Sequence, residues 1–185
     1  SDVRLHDGDL DAIKRRLERG AQHIQNTDFE KALQEFNKVL FYDKTIAAVY
    51  AEKAEIYIKL CDFSSAILFF KKALHFQHDE GWQFKLNQLY FMKGLTLIEE
   101  GYCNDALNLV TQIGSDDVKF TYLKALAYVR ASNKELAFLE IENCLASDPE
   151  NVEVLILKGK LLWSIDRVEE GNDCFWQAHS IFPEH

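Results

Sequence analysis

The stretch AEIYIKLCDFSSAILFFKKA, residues 54–73, contains the features that decide the fold. Small residues stand at Ala54 and Ala66, 12 positions apart, and ring-bearing side chains follow them at Tyr57 and Phe70. Offsets of three and four residues place side chains on one face of an α-helix. The stretch therefore predicts two helices that are joined by a short turn and pack closely where the two alanines meet.

The same arrangement recurs along the whole chain. The first small residues of successive copies are separated by 34, 40, 31 and 34 positions, and a second small residue follows each of them 12 positions later. A period near 34 is typical of a repeat made of a helix, a turn and a second helix. The first series is Gly20, Ala54, Gly94, Ala125 and Gly159, and the second is Ala32, Ala66, Ala106, Ala137 and Gly171.

This spacing predicts an all-α chain of five repeats. The gap of 40 positions predicts a lengthened first helix in the third repeat, because the added residues Trp82, Phe84 and Leu86 are apolar. We expect an N-terminal tail and the start of the first helix at 1–12, followed by repeats at 13–46, 47–80, 81–117, 118–151 and 152–185.

Capping residues predict the turn inside each repeat. Asp28, Asp62, Ser132 and Asp166 stand where the second helix is expected to start. A side-chain oxygen at this position accepts a hydrogen bond from one of the unpaired amides of the first turn. The third repeat departs from the pattern, with Gly and Tyr at 101–102.

This pattern of small residues and aromatics resembles the tetratricopeptide repeat family over nearly the whole chain. The resemblance implies a right-handed superhelical solenoid of five helix-turn-helix units, whose first helices line a concave groove for peptides or partner helices. A narrower resemblance, at 54–66 and 105–108, is to one member of that family. It implies a cytoplasmic scaffold of ciliated cells or sperm, held among axonemal or cytoskeletal proteins of the cilium or flagellum.

The groove that this resemblance implies is mostly apolar. Such a surface suits an amphipathic partner helix or an apolar extended segment. The alternative is that these side chains pack against one another and leave no continuous groove. The expected groove residues are Leu17, Ile24, Ile58, Phe91, Leu95, Ile98, Tyr122, Leu126, Ile156, Lys160 and Trp163.

One mode of binding in the family is not expected here. Members that hold the C-terminal carboxylate of heat-shock chaperones carry Lys, Asn and Arg on their first helices. This chain has Leu17, Ala21, Glu52, Gln88 and Met92 at the corresponding positions. The donors for a charge-assisted clamp are therefore missing.

The final helix predicts a second contact surface at Phe175, Trp176, Ile181 and Phe182. The last helix of a solenoid needs a polar outer face, because it otherwise exposes the surface meant for a neighbour. We therefore expect the fifth repeat to be uncapped and to continue in a longer protein. A partner that covers this end is the alternative.

Composition narrows the function classes. The chain is 48% hydrophobic with a net charge of −9, which indicates a folded acidic protein and disfavours nucleic acid, whose binding needs clustered Lys and Arg. Because no apolar run reaches about 18 residues, no membrane span is expected. The four cysteines form no CxxC pair, and we interpret them as buried free thiols of a reducing compartment.

No residue is assigned to catalysis, to a cofactor or to a metal, and no small-molecule substrate is expected, since the sequence lacks the motifs of nucleotide-binding, metalloprotease and hydrolase sites. His75 and His78 have a spacing compatible with metal ligation on a helix, but a solvated helix end is the favoured interpretation. We expect a non-enzymatic scaffold for protein partners. The alternatives are the regulatory domain of a larger enzyme and a chaperone-associated adaptor that does not use the carboxylate clamp.

Overall fold

The computed structural model describes residues 6–184 of the chain. Within that range the chain forms ten α-helices and no strand. Residues 1–5 of the predicted tail and the last residue of the fifth repeat, His185, lie outside it. The helices are α1 (Asp7–Gln25), α2 (Phe29–Tyr42), α3 (Ala47–Lys59), α4 (Phe63–Phe76), α5 (Glu80–Glu99), α6 (Cys103–Ile113), α7 (Val118–Arg130), α8 (Lys134–Ser147), α9 (Val152–Ser164) and α10 (Val168–Ile181).

The chain divides into two compact units, Ser1–Leu89 and Tyr90–His185, and the division falls within the 20-residue helix α5. In the first unit α1 packs against α2, and α3 packs against α4. In the second unit the pairs are α7 with α8 and α9 with α10, and α6 packs against α7. Each core is assembled from several helices, as where Ile13, Phe36 and Ile56 share one apolar cluster.

The predicted close approach of paired helices is confirmed. All ten small residues of the two series are buried. A Cβ atom added at Gly20 would lie 2.6 Å from Cε1 of Phe36, so this position has no room for a larger residue. In the α9–α10 pair, a Cβ at Gly159 would lie 3.0 Å from the carbonyl oxygen of Gly171. The two helices therefore approach to backbone contact, which side chains at these positions would prevent.

The turns inside the five repeats share one backbone geometry. In each, the residue two before the second helix has a positive φ, and its amide donates to a carbonyl three residues back. The next amide donates to a carbonyl five residues back, which completes a Schellman motif. The left-handed residues are Thr27, Cys61, Gly101, Ser132 and Asp166, with φ of 57°, 58°, 90°, 60° and 63°.

This geometry confirms two predicted caps and corrects two. Asp28 and Asp62 are N-caps, and their carboxylates accept from the amides of Lys31 and Ser65. The caps predicted at Ser132 and Asp166 are wrong by one residue. Each of these residues has the positive φ, and the N-cap is the residue that follows it. A series of acceptor residues shows that a cap is near but does not show which residue takes the positive φ.

Replacing Thr27 with glycine should stabilise the first unit. A β-branched residue is strained at positive φ, and glycine relieves a cost of about 1 kcal/mol there. We expect the free energy of unfolding in urea to rise by about that amount. Gln25→Gly, two residues earlier and helical, should lower it by about 1 kcal/mol, and equal changes for the two variants would contradict the assignment.

Buried charges between helices are paired in some repeats and not in others. Glu35 pairs with Arg16 at 3.1 Å, and Glu140 pairs with Lys124 at 3.2 Å. Lys53 occupies the position equivalent to Lys124, but Phe69 stands in place of the glutamate. The Lys53 ammonium therefore lies 4.1 Å from the centre of the Phe69 ring and donates to Oδ1 of Asn37 at 2.7 Å. Burial, together with the nearby Lys72, lowers the pKa of Lys53.

Lys53→Met should raise the free energy of unfolding at neutral pH by about 1 kcal/mol, because it removes a buried cation that has no carboxylate partner among the described residues. The pKa in the folded state is lower than in the unfolded state. The cost of the charge is therefore present at neutral pH and disappears as the pH rises through the unfolded value of about 10.4. Denaturation as a function of pH measures this difference.

Lys124→Met provides the matched control for this experiment. It leaves Glu140, which is only 8% exposed, without its ion-pair partner. The free energy of unfolding should fall by about 1–2 kcal/mol at neutral pH, since a buried carboxylate is then uncompensated. A loss of similar size for Lys53→Met would show that Lys53 stabilises the fold.

The cysteines correct one expectation. Cys144 and Cys174 are buried as expected, but Cys61 is exposed in the α3–α4 turn and Cys103 is half-buried. Burial raises the pKa of the Cys144 thiol to about 11, which leaves it protonated near neutral pH. Cys61 is exposed because it holds the left-handed position of a turn.

Candidate protein-binding surface

The first unit contains an apolar pocket between α1 and α3. Its volume is about 280 Å³, and it is open to solvent on one side. Phe36 and Val49 are buried and form part of its wall, while Ala21 and Ala48 are exposed. The pocket is lined by Leu17, Ala21, Ile24, Phe36, Ile46, Ala48, Val49 and Glu52.

The pocket is open at the position of Glu52, where α3 places no large apolar side chain. Glu52 stands two positions before the small residue of α3, and its side chain is exposed. Of the three equivalent residues in the second unit, Leu123 and Leu157 are 0% and 8% exposed, whereas Met92 of α5 is 45% exposed. Leu123 packs so closely on α5 that a Cβ at Gly94 would lie 2.6 Å from its Cδ1. A leucine at this position fills the space that Glu52 leaves open.

Two of the predicted groove residues line this pocket. Leu17 and Ile24 lie on its α1 side. Ile58, the third predicted residue of the first unit, is half-buried and does not line it. The α3 side is formed by residues that the sequence did not single out as groove residues, namely Ala48, Val49 and Glu52, together with Ile46 just before the helix.

The α3 side of the pocket could have been predicted from the alignment of the repeats with one another. The predicted groove positions were three before, one after and four after each first small residue. The neighbouring helix faces them with its residues six, five and two positions before its own small residue, which are Ala48, Val49 and Glu52. Comparing Glu52 with Leu123 and Leu157 along the repeats would have identified the opening.

In the second unit several predicted groove residues pack on one another. The rings of Phe91 and Tyr122 stack with their centroids 6.5 Å apart. Leu95 and Leu126 are half-buried against the same apolar cluster, and Ile98 is 7% exposed. These five side chains therefore pack against one another, as in the alternative that leaves no continuous groove.

The remaining predicted groove residues lie on α9. Ile156 is half-buried and Lys160 is exposed. Trp163 is 49% exposed, with its ring edge-on to Phe175 at 5.0 Å between centroids and its Nε1 donating to Oδ1 of Asn172 at 3.1 Å. Contacts with α10 therefore hold the indole of Trp163 in place.

The predicted terminal surface is exposed at three of its four residues. Trp176, Ile181 and Phe182 are 68%, 37% and 45% exposed. The last two border a depression of about 380 Å³ with Val152 and the acidic residues of the α8–α9 turn. Phe175 is different, because its ring is half-buried over Gly159.

The outer side of α10 is more polar than the corresponding side of α2. Leu33 and Leu40 of α2 pack in the core of the first unit. Their repeat equivalents on α10 are Asn172 and His179, both exposed. The exposed large apolar residues of α10 are therefore Val168 at its start, Trp176, and Ile181 at its C-terminal end.

Two further properties concern the described part of the chain. Across residues 6–184 no group of His, Cys, Asp and Glu side chains has a geometry that could hold a metal ion. The helix α4 ends at Phe76, so that His75 lies in its last turn and His78 lies beyond it. In the same range no helix is long and apolar enough to cross a membrane.

Comparison with known proteins agrees with this architecture. Residues 47–75 match the family model described as tetratricopeptide repeat. The fold is similar to that of MamA from Desulfovibrio magneticus RS-1, at 17% identity and a TM-score of 0.59 over 95% of this chain and 97% of that one. It is also similar to YrrB, at 17% identity and a TM-score of 0.58 over 97% and 94%. The chain therefore has a fold of the tetratricopeptide repeat type, and residues 47–75 match that repeat in sequence.

Its sequence is similar to part of one particular member of that family. It is 28% identical to Tetratricopeptide repeat protein 16 of Homo sapiens over 181 residues, which cover 94% of this chain and 20% of the relative. The corresponding protein of Macaca fascicularis is 30% identical over the same shares. The chain thus spans about a fifth of the length of the curated relatives it matches.

Proposed function

We propose that this chain is a non-enzymatic protein-interaction scaffold whose pocket between α1 and α3 holds an apolar side chain of a partner. The observation that carries the proposal is an open pocket of about 280 Å³ whose wall is almost entirely apolar. Stacked helical repeats provide extended binding surfaces of this kind. The partner segment is an amphipathic helix or an extended strand that presents one large side chain.

The pocket is suited to a single anchoring residue. Burying a Leu, Ile or Phe side chain contributes about 1.5–3 kcal/mol, and such anchors dominate the free energy of binding at protein interfaces. YrrB, which shares the fold, is described as a tetratricopeptide repeat protein with an unusual peptide-binding site. That description supports peptide binding as a use of this fold.

The second unit contributes contacts of a different kind. Phe91 and Tyr122 already stack on each other. A partner there would contact the outer edges of these rings and would not enter a pocket. Trp163 and Trp176 are the large aromatic side chains of α9 and α10 that are most exposed to solvent. We assign Trp176, Ile181 and Phe182 to a second protein contact that is independent of the pocket.

We further propose that the protein is a structural or assembly component of cilia or sperm flagella. The support is its sequence similarity to Tetratricopeptide repeat protein 16. Imaging of an endogenously tagged protein in ciliated epithelium and sperm tests this proposal. A signal that is absent from the axoneme in both would overturn it.

Filling the pocket should weaken partner binding while the fold persists. Ala21→Trp places an indole among Leu17, Ile24 and Val49, and we expect affinity for partners to fall at least tenfold because the anchoring side chain is excluded. The measurement is quantitative affinity capture from ciliated tissue followed by mass spectrometry. Partners held by the pocket should survive raised salt, since apolar burial is not screened.

Ala146→Trp is the matched control for this experiment, because Ala146 is an exposed residue of α8 in the second unit. It should leave the captured proteins unchanged. Circular dichroism confirms that both variants are folded. Partners that bind Ala21→Trp as well as the wild-type protein would overturn the assignment of the pocket.

A further inference from the structure

We infer that the pocket selects a partner segment in which a lysine or arginine lies beside the apolar anchor. This inference rests on the proposed function and adds a charge requirement to it. Its basis is Glu52, the charged member of the set of residues that line the pocket. No basic residue stands in that set, so the pocket presents a single negative charge beside apolar walls.

The carboxylate of Glu52 has no hydrogen-bond or ion-pair partner within residues 6–184. The other charged residues of α3 are engaged. Lys53 donates to Asn37, Glu55 pairs with Lys85, and the ammonium of Lys59 lies 5.7 Å from the centre of the Phe29 ring. Glu52 is thus the residue of α3 whose charge is left for a ligand.

Packing does not require a carboxylate at this position. In the second unit this position holds Met92, Leu123 and Leu157, none of which is charged, and the two leucines are buried there. A glutamate instead keeps the space open and places an anion at its edge. Both effects follow from one residue, and together they define a pocket for an apolar side chain with a cation next to it.

The same charge disfavours a different ligand. A C-terminal carboxylate placed in this pocket would meet Glu52 and no cation among the lining residues. Two negative charges that lie close together oppose binding, whereas a lysine or arginine gains an ion pair. Because Glu52 is exposed, the gain is modest, and we expect about a three- to tenfold difference in affinity at low salt.

Peptide-display selection from a random 12-residue library tests this inference directly. Selection on the wild-type protein should enrich peptides with a large apolar residue and a Lys or Arg within one helical turn of it. Selection on Glu52→Gln should enrich the apolar residue without the basic one, and Glu52→Lys should enrich Asp or Glu in its place. Each change follows from the sign of the charge at residue 52.

Binding constants of the selected peptides complete the test. For the best wild-type peptide, replacing its basic residue with glutamate should weaken binding to the wild-type protein about three- to tenfold at low salt. The difference should disappear in Glu52→Gln. The matched control is Glu18→Gln, which changes the equivalent residue of α1, exposed and outside the lining set. This control should retain the full preference.

The outcomes separate this inference from the proposed function. Peptides that bind the wild-type protein, are lost in Ala21→Trp and show no preference for a basic residue would overturn the charge requirement and leave the pocket assignment standing. Peptides that bind Ala21→Trp equally well, or a selection that yields no binder, would overturn both. Glu52→Leu adds a second measurement, because filling the space as Leu123 does should weaken every selected peptide.

Discussion

Close contact between paired helices is the constraint on which the rest of the structure depends. Where α9 meets α10, the backbones at Gly159 and Gly171 lie so near that a single added carbon would meet the opposite carbonyl oxygen. In the first and fifth repeats the aromatic ring four residues after the second small residue covers the first one, as Phe36 covers Gly20 and Phe175 covers Gly159. Small residue and ring form one packing unit, and dispersion contacts across it are lost if either changes size.

The turn between the helices is the second repeated constraint. It uses the same two backbone hydrogen bonds in all five repeats, although the left-handed residue is a glycine only at Gly101. Thr, Cys, Ser and Asp occupy the other four turns at some conformational cost. The backbone geometry is therefore imposed by helix pairing, and local preference alone does not specify it.

Differences between repeats decide where the surface opens. One position, two residues before the first small residue, holds a buried leucine at Leu123 and Leu157 but an exposed glutamate at Glu52. The leucines close the space between successive first helices, and the glutamate leaves a pocket. The exchange of a buried glutamate for Phe69 next to Lys53 is a similar local change, which alters the pairing of charges without altering the path of the helices.

The amino-acid sequence by itself determined the helices, their pairing and their period, because ten small residues in a constant register leave few other ways to pack. It also singled out Leu17 and Ile24, which line the pocket between α1 and α3. Tertiary structure decided the rest. Which helix forms the opposite wall of the pocket depends on how α3 stacks on α1, and periodicity within one helix does not contain that information. The mutual stacking of Phe91 and Tyr122 and the pairing of Trp163 with α10 likewise depend on distances between helices, which are set by the summed packing of many side chains.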